Sequence, residues 1–266
     1  MNPIKTKLRR GELVRGQMIL EFFTPGIASM LAGAGAEFVL FDMEHSSCDI
    51  SLVAEMIAFC GRADIVPMVR VPDSGFAPLS RVCDLGARGV MIPRVESATQ
   101  MSEIVAQLKY APDGRRGVAL GIAHDHYAAG GPSYFAEANN DLIVIALLET
   151  TKAFERLEEI VSVPGVDVAW MGHYDLTVSM GIPGEFEHPA FLAHMDALLD
   201  TCARHKVAPG FLPSTPEDAV RWIKKGFRMI SLGTDIGIFT KAFRSFHHTI
   251  GESLGDALPG SANSSE

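Results

Sequence analysis

Short, nearly continuous apolar runs alternate along the chain with longer stretches in which apolar positions return every three or four residues. The first pattern marks a strand buried on both faces and the second an amphipathic helix. The runs predict eight strands, at Gln17–Phe22, Glu37–Asp42, Ile65–Arg70, Gly89–Pro93, Ile143–Glu149, Asp167–Met171, Ala208–Leu212 and Met229–Leu232. Helices are predicted at Ile27–Ala34, Ile50–Cys60, Phe76–Leu85, Thr99–Lys109, Lys152–Ser162, Pro189–His205, Pro216–Lys225 and Asp235–Thr249. Thr24-Pro25 and Thr215-Pro216 each read as a helix cap followed by an N1 proline. Gly33, Gly35, Gly61, Gly86 and Gly226 fall where helices should stop.

Strict alternation of strand and helix implies parallel strands, and eight such units in a chain of 266 residues predict an α/β fold, a closed (β/α)8 TIM barrel. The competing open, doubly wound sheet should carry a glycine-rich turn after its first strand, where this chain has Phe22-Phe23-Thr24-Pro25. One barrel domain is expected over residues 1–250, followed by a small, polar, disordered tail over 251–266. The segment Tyr110–Asn140 is long for a connection in a compact domain and is expected to be functional or an insertion.

Composition changes the picture little. A net charge of −9 argues against a nucleic-acid backbone as partner. The longest apolar run, Leu142–Leu148, is far short of the ~18–20 residues that span a bilayer, so no membrane partner is expected. The basic start leads into Gly-Glu-Leu-Val rather than an apolar secretory segment. Cys48, Cys60, Cys83 and Cys202 are scattered, as free thiols of a cytoplasmic protein would be.

Catalytic residues of a barrel come from the C-terminal ends of its strands. There the chain places Asp42, Glu44 and His45 after strand two, Arg70 at the end of strand three, Arg94 after strand four, Glu149 at the end of strand five, and His173-Tyr174-Asp175 after strand six. Glu149 and Asp175 could share a hard divalent cation; equally, Glu149 could cap the following helix and Asp175 form an Asx turn. Arg70 suits a substrate carboxylate or an enolate oxygen, or else a salt bridge to Asp42 or Glu44. His45 is a candidate general base, or a loop histidine packed on Met43. His124 and His126 in the long segment read first as surface histidines, with a substrate-contacting lid as the functional alternative and a zinc site behind it.

Taken in order, LAGAGAEFVLFDMEH (31–45), PMVRVP (67–72), CDLGARGVMIPRVES (83–97), YAPDGRRG (110–117), LLET (147–150) and GVDVAWMGHYDLTVSMG (165–181) resemble the HpcH/HpaI aldolases, the class II, metal-dependent pyruvate aldolases. The resemblance covers roughly Gly11 to His247. It implies reversible cleavage of a 4-hydroxy-2-oxo acid to pyruvate, or an analogue such as hydroxypyruvate, and an aldehyde. By the same resemblance, Glu149 and Asp175 would hold a Mg²⁺, Mn²⁺ or Co²⁺ ion, and His45 would accept the proton through a bound water. Arg70 would stabilise the enolate, Asp84 would raise the basicity of the histidine, and Tyr174 and Asp175 would bind the 2-oxo acid. A homo-oligomer, a hexamer built as a trimer of dimers, is implied as well. Because Asp84 ends the third helix, at the far end of a barrel from His45, a catalytic Asp84 would have to come from a neighbouring subunit.

The chain departs from the family pattern at Leu147, where glutamine is usual, and at His173 and Tyr174, in place of the usual Gly-Pro-x-Asp-Leu. These changes bear on substrate choice. Two further readings stay open: an oxaloacetate-decarboxylating or related enolate synthase, and a catalytically silent barrel that binds 2-oxo acids. No strand ends in a lysine placed for an imine, since Lys152 falls in a helix, which disfavours Schiff-base chemistry.

Overall fold

The computed structural model describes residues 1–254; residues 255–266 of the expected tail lie outside the described residues. Eight strands, β1 (Val14–Ile19), β2 (Phe38–Asp42), β3 (Val66–Arg70), β4 (Gly89–Ile92), β5 (Ile143–Leu148), β6 (Val168–Met171), β7 (Ala208–Phe211) and β8 (Met229–Thr234), each pair in parallel with the next. β8 pairs with β1, so the sheet closes into the predicted barrel.

Before the barrel comes α1 (Pro3–Arg9); α2 (Ile27–Gly33), α3 (Ile50–Cys60), α4 (Phe76–Asp84) and α5 (Ala98–Leu108) follow the first four strands. The long connection to β5 holds a 3-10 turn at Ala123–Asp125 and α6 (Ser133–Asp141). Then come α7 (Thr151–Glu155) and α8 (Leu157–Val161), α9 (His173–Ser179) and α10 (Pro189–His205), α11 (Pro216–Lys225), and α12 (Asp235–Leu254) after β8.

Two buried apolar layers hold the barrel. One lies between strands and helices; the other fills the barrel interior with Phe38 and Leu40 of β2, Met68 of β3, Met91 of β4, Ile145 and Leu147 of β5, and Trp170 of β6. Large inner side chains need small neighbours. A Cβ on Gly16 would stand 2.4 Å from the Phe38 carbonyl oxygen, and one on Gly210 would stand 2.3 Å from the Trp170 ring. The seam between β1 and β8 is irregular at Gly16–Met18, and Ser231 Oγ bridges it, accepting from Met18 N at 2.9 Å.

The structure differs from the sequence expectations in several places. β1 lies three residues earlier than expected, because the N–H groups of Leu20, Glu21 and Phe22 are taken by the buried Asp235 carboxylate at 2.7–3.0 Å rather than by a neighbouring strand. α2 starts at Ile27 as expected, but Thr24-Pro25 forms a turn before it and provides no side-chain cap, whereas Thr215 caps α11 as expected. The helix expected over 152–162 is broken at Arg156 into α7 and α8. α1, α6 and α9 were not foreseen. Gly251–Leu254, assigned to the tail by composition, continue α12.

Two of the terminal helices behave in opposite ways. α1 plugs the N-terminal end of the barrel, with Ile4 and Leu8 joining the interior layer. α12 is anchored by its first turn, where Asp235 is buried and Phe239 meets Phe22 edge-on at 5.4 Å; beyond it Phe243, Phe246 and Ile250 continue one exposed apolar face, with Phe246 at 73% exposure. Among the described residues no helix is long and apolar enough to cross a membrane.

If α1 is part of the core, Ile4→Ala leaves a void at the barrel floor and lowers unfolding free energy by about 3 kcal/mol in urea titration. A loss below about 0.5 kcal/mol would mean that α1 is only appended.

Candidate active site

Side chains two apart on a strand share a face. Leu40, Met68 and Leu147 point into the barrel, so Asp42, Arg70 and Glu149 two residues later are aimed at its C-terminal mouth. Asp42 and Arg70 are also register partners across β2 and β3. The Asp42 carboxylate is fully buried and accepts Arg70 Nε and Nη2 in a two-pronged pair, both at 2.7 Å. It also accepts the backbone N–H groups of Glu44 (2.9 Å) and His45 (3.2 Å), which sets the path of the loop after β2. Asp42 is therefore a positioning residue; the period-2 alternation of its strand was the signal that marks it.

Glu44 Oε2 is buried without a hydrogen bond, 3.2 Å from Arg70 Nη1 and 3.7 Å from His45 Nε2. Both salt bridges weighed for Arg70 are thus present, and they hold its fork in place. Burial works against the guanidinium charge, but the bonds and charge of Asp42 and the charges of Glu44 and Glu149 outweigh it and raise its pKa. Burial likewise raises the Glu44 carboxyl, partly offset by Arg70 and His45. His45 itself is exposed and free to meet a ligand.

Glu149 is 5% exposed. It does not cap the helix after it; Thr150 does, accepting Ala153 N at 3.2 Å. Instead Glu149 Oε1 accepts the backbone N–H of Arg94 at 2.8 Å, and Arg94 holds a left-handed φ of 53° to present it. In the sequence only the Arg94 side chain stands out, because a main-chain role leaves no trace in residue identity. Burial, followed by the charges of Glu44 and Asp175, pushes the Glu149 pKa up to about 7. Asp175, in the exposed first turn of α9, supplies the second carboxylate.

The donor set fits a divalent cation. A buried carboxylate is repelled by two neighbouring carboxylates, and a hard cation there would offset that repulsion. Among the described residues no three His, Cys, Asp or Glu side chains already form a metal cluster. A cation held by Glu149 and Asp175 would keep its other positions for water or substrate.

His173 and Tyr174 shape the rim. His173 is buried against Tyr174, Phe186 and Phe211, with ring centroids 4.7–5.2 Å away, and burial pushes its pKa down to about 4. It is a neutral packing group that props up Tyr174, which is 58% exposed beside Asp175.

Asp84 is not brought to this site within its own chain. It is the last residue of α4, at the end of the barrel opposite the mouth, and pairs with Arg116 at 2.6 Å. The segment 110–140 lies at that same end, because it joins the end of α5 to the start of β5, so it is no lid over its own mouth. His124 is engaged with Tyr134 Oη and with the Ala119 carbonyl at 2.6 Å, and serves the loop rather than a metal.

The fold and mouth define a closed (β/α)8 barrel that gathers a guanidinium and a pair of carboxylates at one end. Residues 17–242 match the HpcH/HpaI aldolase/citrate lyase family, and the chain belongs to it. It is a lyase of the aldolase type. A hydroxypyruvate/pyruvate aldolase of Cupriavidus necator is 29% identical over 256 residues, 96% of this chain and 95% of its own. A 2-keto-3-deoxy-L-rhamnonate aldolase of Klebsiella pneumoniae is 30% identical over 241 residues, 91% and 90% of the two chains. Among solved structures, an HpcH/HpaI aldolase from Desulfitobacterium hafniense superposes with a TM-score of 0.89 at 30% identity, covering 96% of this chain and 97% of that one.

The raised Glu149 pKa has a consequence for the metal-free protein. A carboxyl at about 7 when folded and 4.5 when unfolded contributes stability that is complete below about pH 4.5 and lost as pH rises through 7. The loss at pH 8 is on the order of 3 kcal/mol. In EDTA at pH 8, Glu149→Gln should therefore melt about 5 °C above the native chain and show a flatter pH dependence. A variant that melts at or below the native chain would contradict this account.

Proposed function

We propose that the chain is a divalent-metal-dependent aldolase that reversibly cleaves a 4-hydroxy-2-oxo acid to pyruvate, or an analogue such as hydroxypyruvate, and an aldehyde. The observation that carries this reading is the convergence at one barrel mouth of a buried carboxylate, Glu149, and a buried, oriented guanidinium, Arg70. Glu149 and Asp175 would hold the cation. When bound, it supplies Lewis-acid polarisation of the 2-oxo group.

Arg70 commits Nε and one Nη2 hydrogen to Asp42, which leaves donors for the oxygen that gains charge as the enolate forms. Asp42 prevents that fork from rotating. His45, exposed at the rim, takes the proton of the C4 hydroxyl as the C3–C4 bond breaks. The aldehyde leaves with its new carbonyl, the bonding pair goes to the enolate, and a proton delivered to C3 completes the 2-oxo acid. Tyr174 and Asp175 flank the substrate's entry. Aldol cleavage is preferred to a decarboxylating synthase because the Cupriavidus necator and Klebsiella pneumoniae relatives are both aldolases. A silent barrel has no need of a buried, repelled carboxylate beside an oriented arginine.

The reading extends to a homo-oligomer, a hexamer arranged as a trimer of dimers, in which Asp84 of one subunit serves His45 of another. Two features support it. Asp84 stands at the far end of its own barrel, and α12 presents an apolar face that a second copy would cover. A cytoplasmic setting agrees with four buried, unpaired cysteines.

Pyruvate in deuterium oxide tests the enolate step without knowledge of the aldehyde. Methyl protons should exchange with Mg²⁺, Mn²⁺ or Co²⁺ and stop exchanging in EDTA. Glu149→Ala should lose the metal-dependent rate, and Arg70→Lys should lower it by about 10²–10³-fold. Exchange undiminished by EDTA, or by Glu149→Ala, would refute the assignment. Asp84→Asn should lower kcat with little change in KM while the oligomer stays intact by gel filtration; an unaltered rate would remove Asp84 from the mechanism.

A further inference from the structure

The opposite end of the barrel carries chemistry that the aldol reaction does not use. A polar cavity of about 280 Å³ lies there, between the end of α1, the residues after α5 and the starts of β6 and β7. Four cationic side chains line it, Lys5, Arg9, Lys109 and Lys206, against two carboxylates, Asp113 and Asp167. The excess of positive charge is notable in a chain whose net charge is −9.

Both carboxylates are already engaged. Asp167 Oδ2 accepts Lys5 Nζ at 2.8 Å and the Val144 N–H at 3.0 Å, while Asp113 Oδ2 accepts Asn139 Nδ2 at 3.0 Å. Lys5 has a counter-charge in Asp167 and also donates to the Leu142 carbonyl at 2.6 Å. Lys109 is less well partnered. It is 7% exposed, and among the described residues its ammonium has one acceptor, the Asn139 carbonyl at 2.6 Å, and no ion pair. Burial, then the charge of Lys5, lowers its pKa, and the nearby charges of Asp167 and Asp113 offset this only in part. A buried ammonium with spare donors is costly unless an anion meets it. Arg9 and Lys206, both exposed, stand at the entrance where they would attract one.

We propose that this cavity is a second anion site, at the closed end of the barrel, which takes a small multivalent oxyanion: phosphate, as the free ion or on a metabolite, or a compact polycarboxylate. Lys109 supplies the buried contact, and Arg9 and Lys206 close over the exposed charge. The volume exceeds the ~30 Å³ share of a single water many times over and suits a metabolite of a few carbons. Because its walls come from α1, the residues after α5, the end of α6, the turn before β6 and the start of β7, an occupant would tie the N-terminal plug to the barrel and raise its melting temperature.

Calorimetric titration with inorganic phosphate and with citrate, in about 0.15 M NaCl, tests the site and separates the two anion classes. One of the two should bind the native chain with a Kd below about 1 mM and raise Tm by about 5 °C at 100-fold excess over Kd. The double variant Arg9→Ala/Lys206→Ala changes only exposed side chains; it should keep the native fold and pyruvate exchange while affinity falls at least tenfold. Lys109→Met should lose the binding as well. Absence of binding by both anions, or binding that survives Arg9→Ala/Lys206→Ala unchanged, would overturn the proposal.

Discussion

At the end of β2 a carboxylate with no exposed surface, Asp42, accepts two hydrogen bonds from the Arg70 guanidinium and two from the backbone of the loop that follows. A buried, fully partnered ion pair is retained where it fixes an arrangement, since it contributes little net stability compared with well-packed apolar groups. Here it fixes three things together: the plane of the arginine fork, the course of residues 43–45, and the place of His45 at the rim. Removing one partner would leave the other charge buried and alone, so the pair is tied to the fold that positions it.

Glu149 shows the complementary logic. Among the described residues, one backbone N–H and the more distant Arg70 are what offset its charge. The mouth therefore holds a partnered group, Arg70 with Asp42 and Glu44, next to an under-balanced carboxylate, Glu149, which Glu44 and Asp175 both repel. The first provides orientation, and a bound cation would offset the repulsion on the second. The far end repeats the arrangement with opposite sign, where Lys5 is balanced by Asp167 and Lys109 is left wanting an anion. Apolar layers separate the two ends, so each electrostatic imbalance is confined to its own face of the barrel.

The sequence carried more of the barrel than of its ends. Seven of the strands fall within a residue or two of their apolar runs, because a strand buried on both faces must be apolar throughout. β1 was displaced because a long-range partner, Asp235, captures the N–H groups of residues 20–22. α9 was missed because seven residues with a tyrosine and an aspartate give no clear helical period. At the mouth, Glu149, Arg70 and Asp175 were legible as polar residues just past apolar runs. The part played by Arg94 was not, because a backbone N–H is the same in every residue and only its φ of 53° singles it out.

Alternation of apolar runs and amphipathic stretches was enough to determine eight parallel units, the closed sheet and which strand ends face the mouth, since those follow from local period and chain length. Only the tertiary structure decided that α1 plugs the floor while α12 leaves the barrel beyond its first turn, and that Glu149 is a repelled carboxylate rather than a helix cap. Each of these depends on contacts between residues far apart in the chain. The energy of a buried charge is set by whatever the fold brings within a few ångströms of it, which no local pattern of residues encodes.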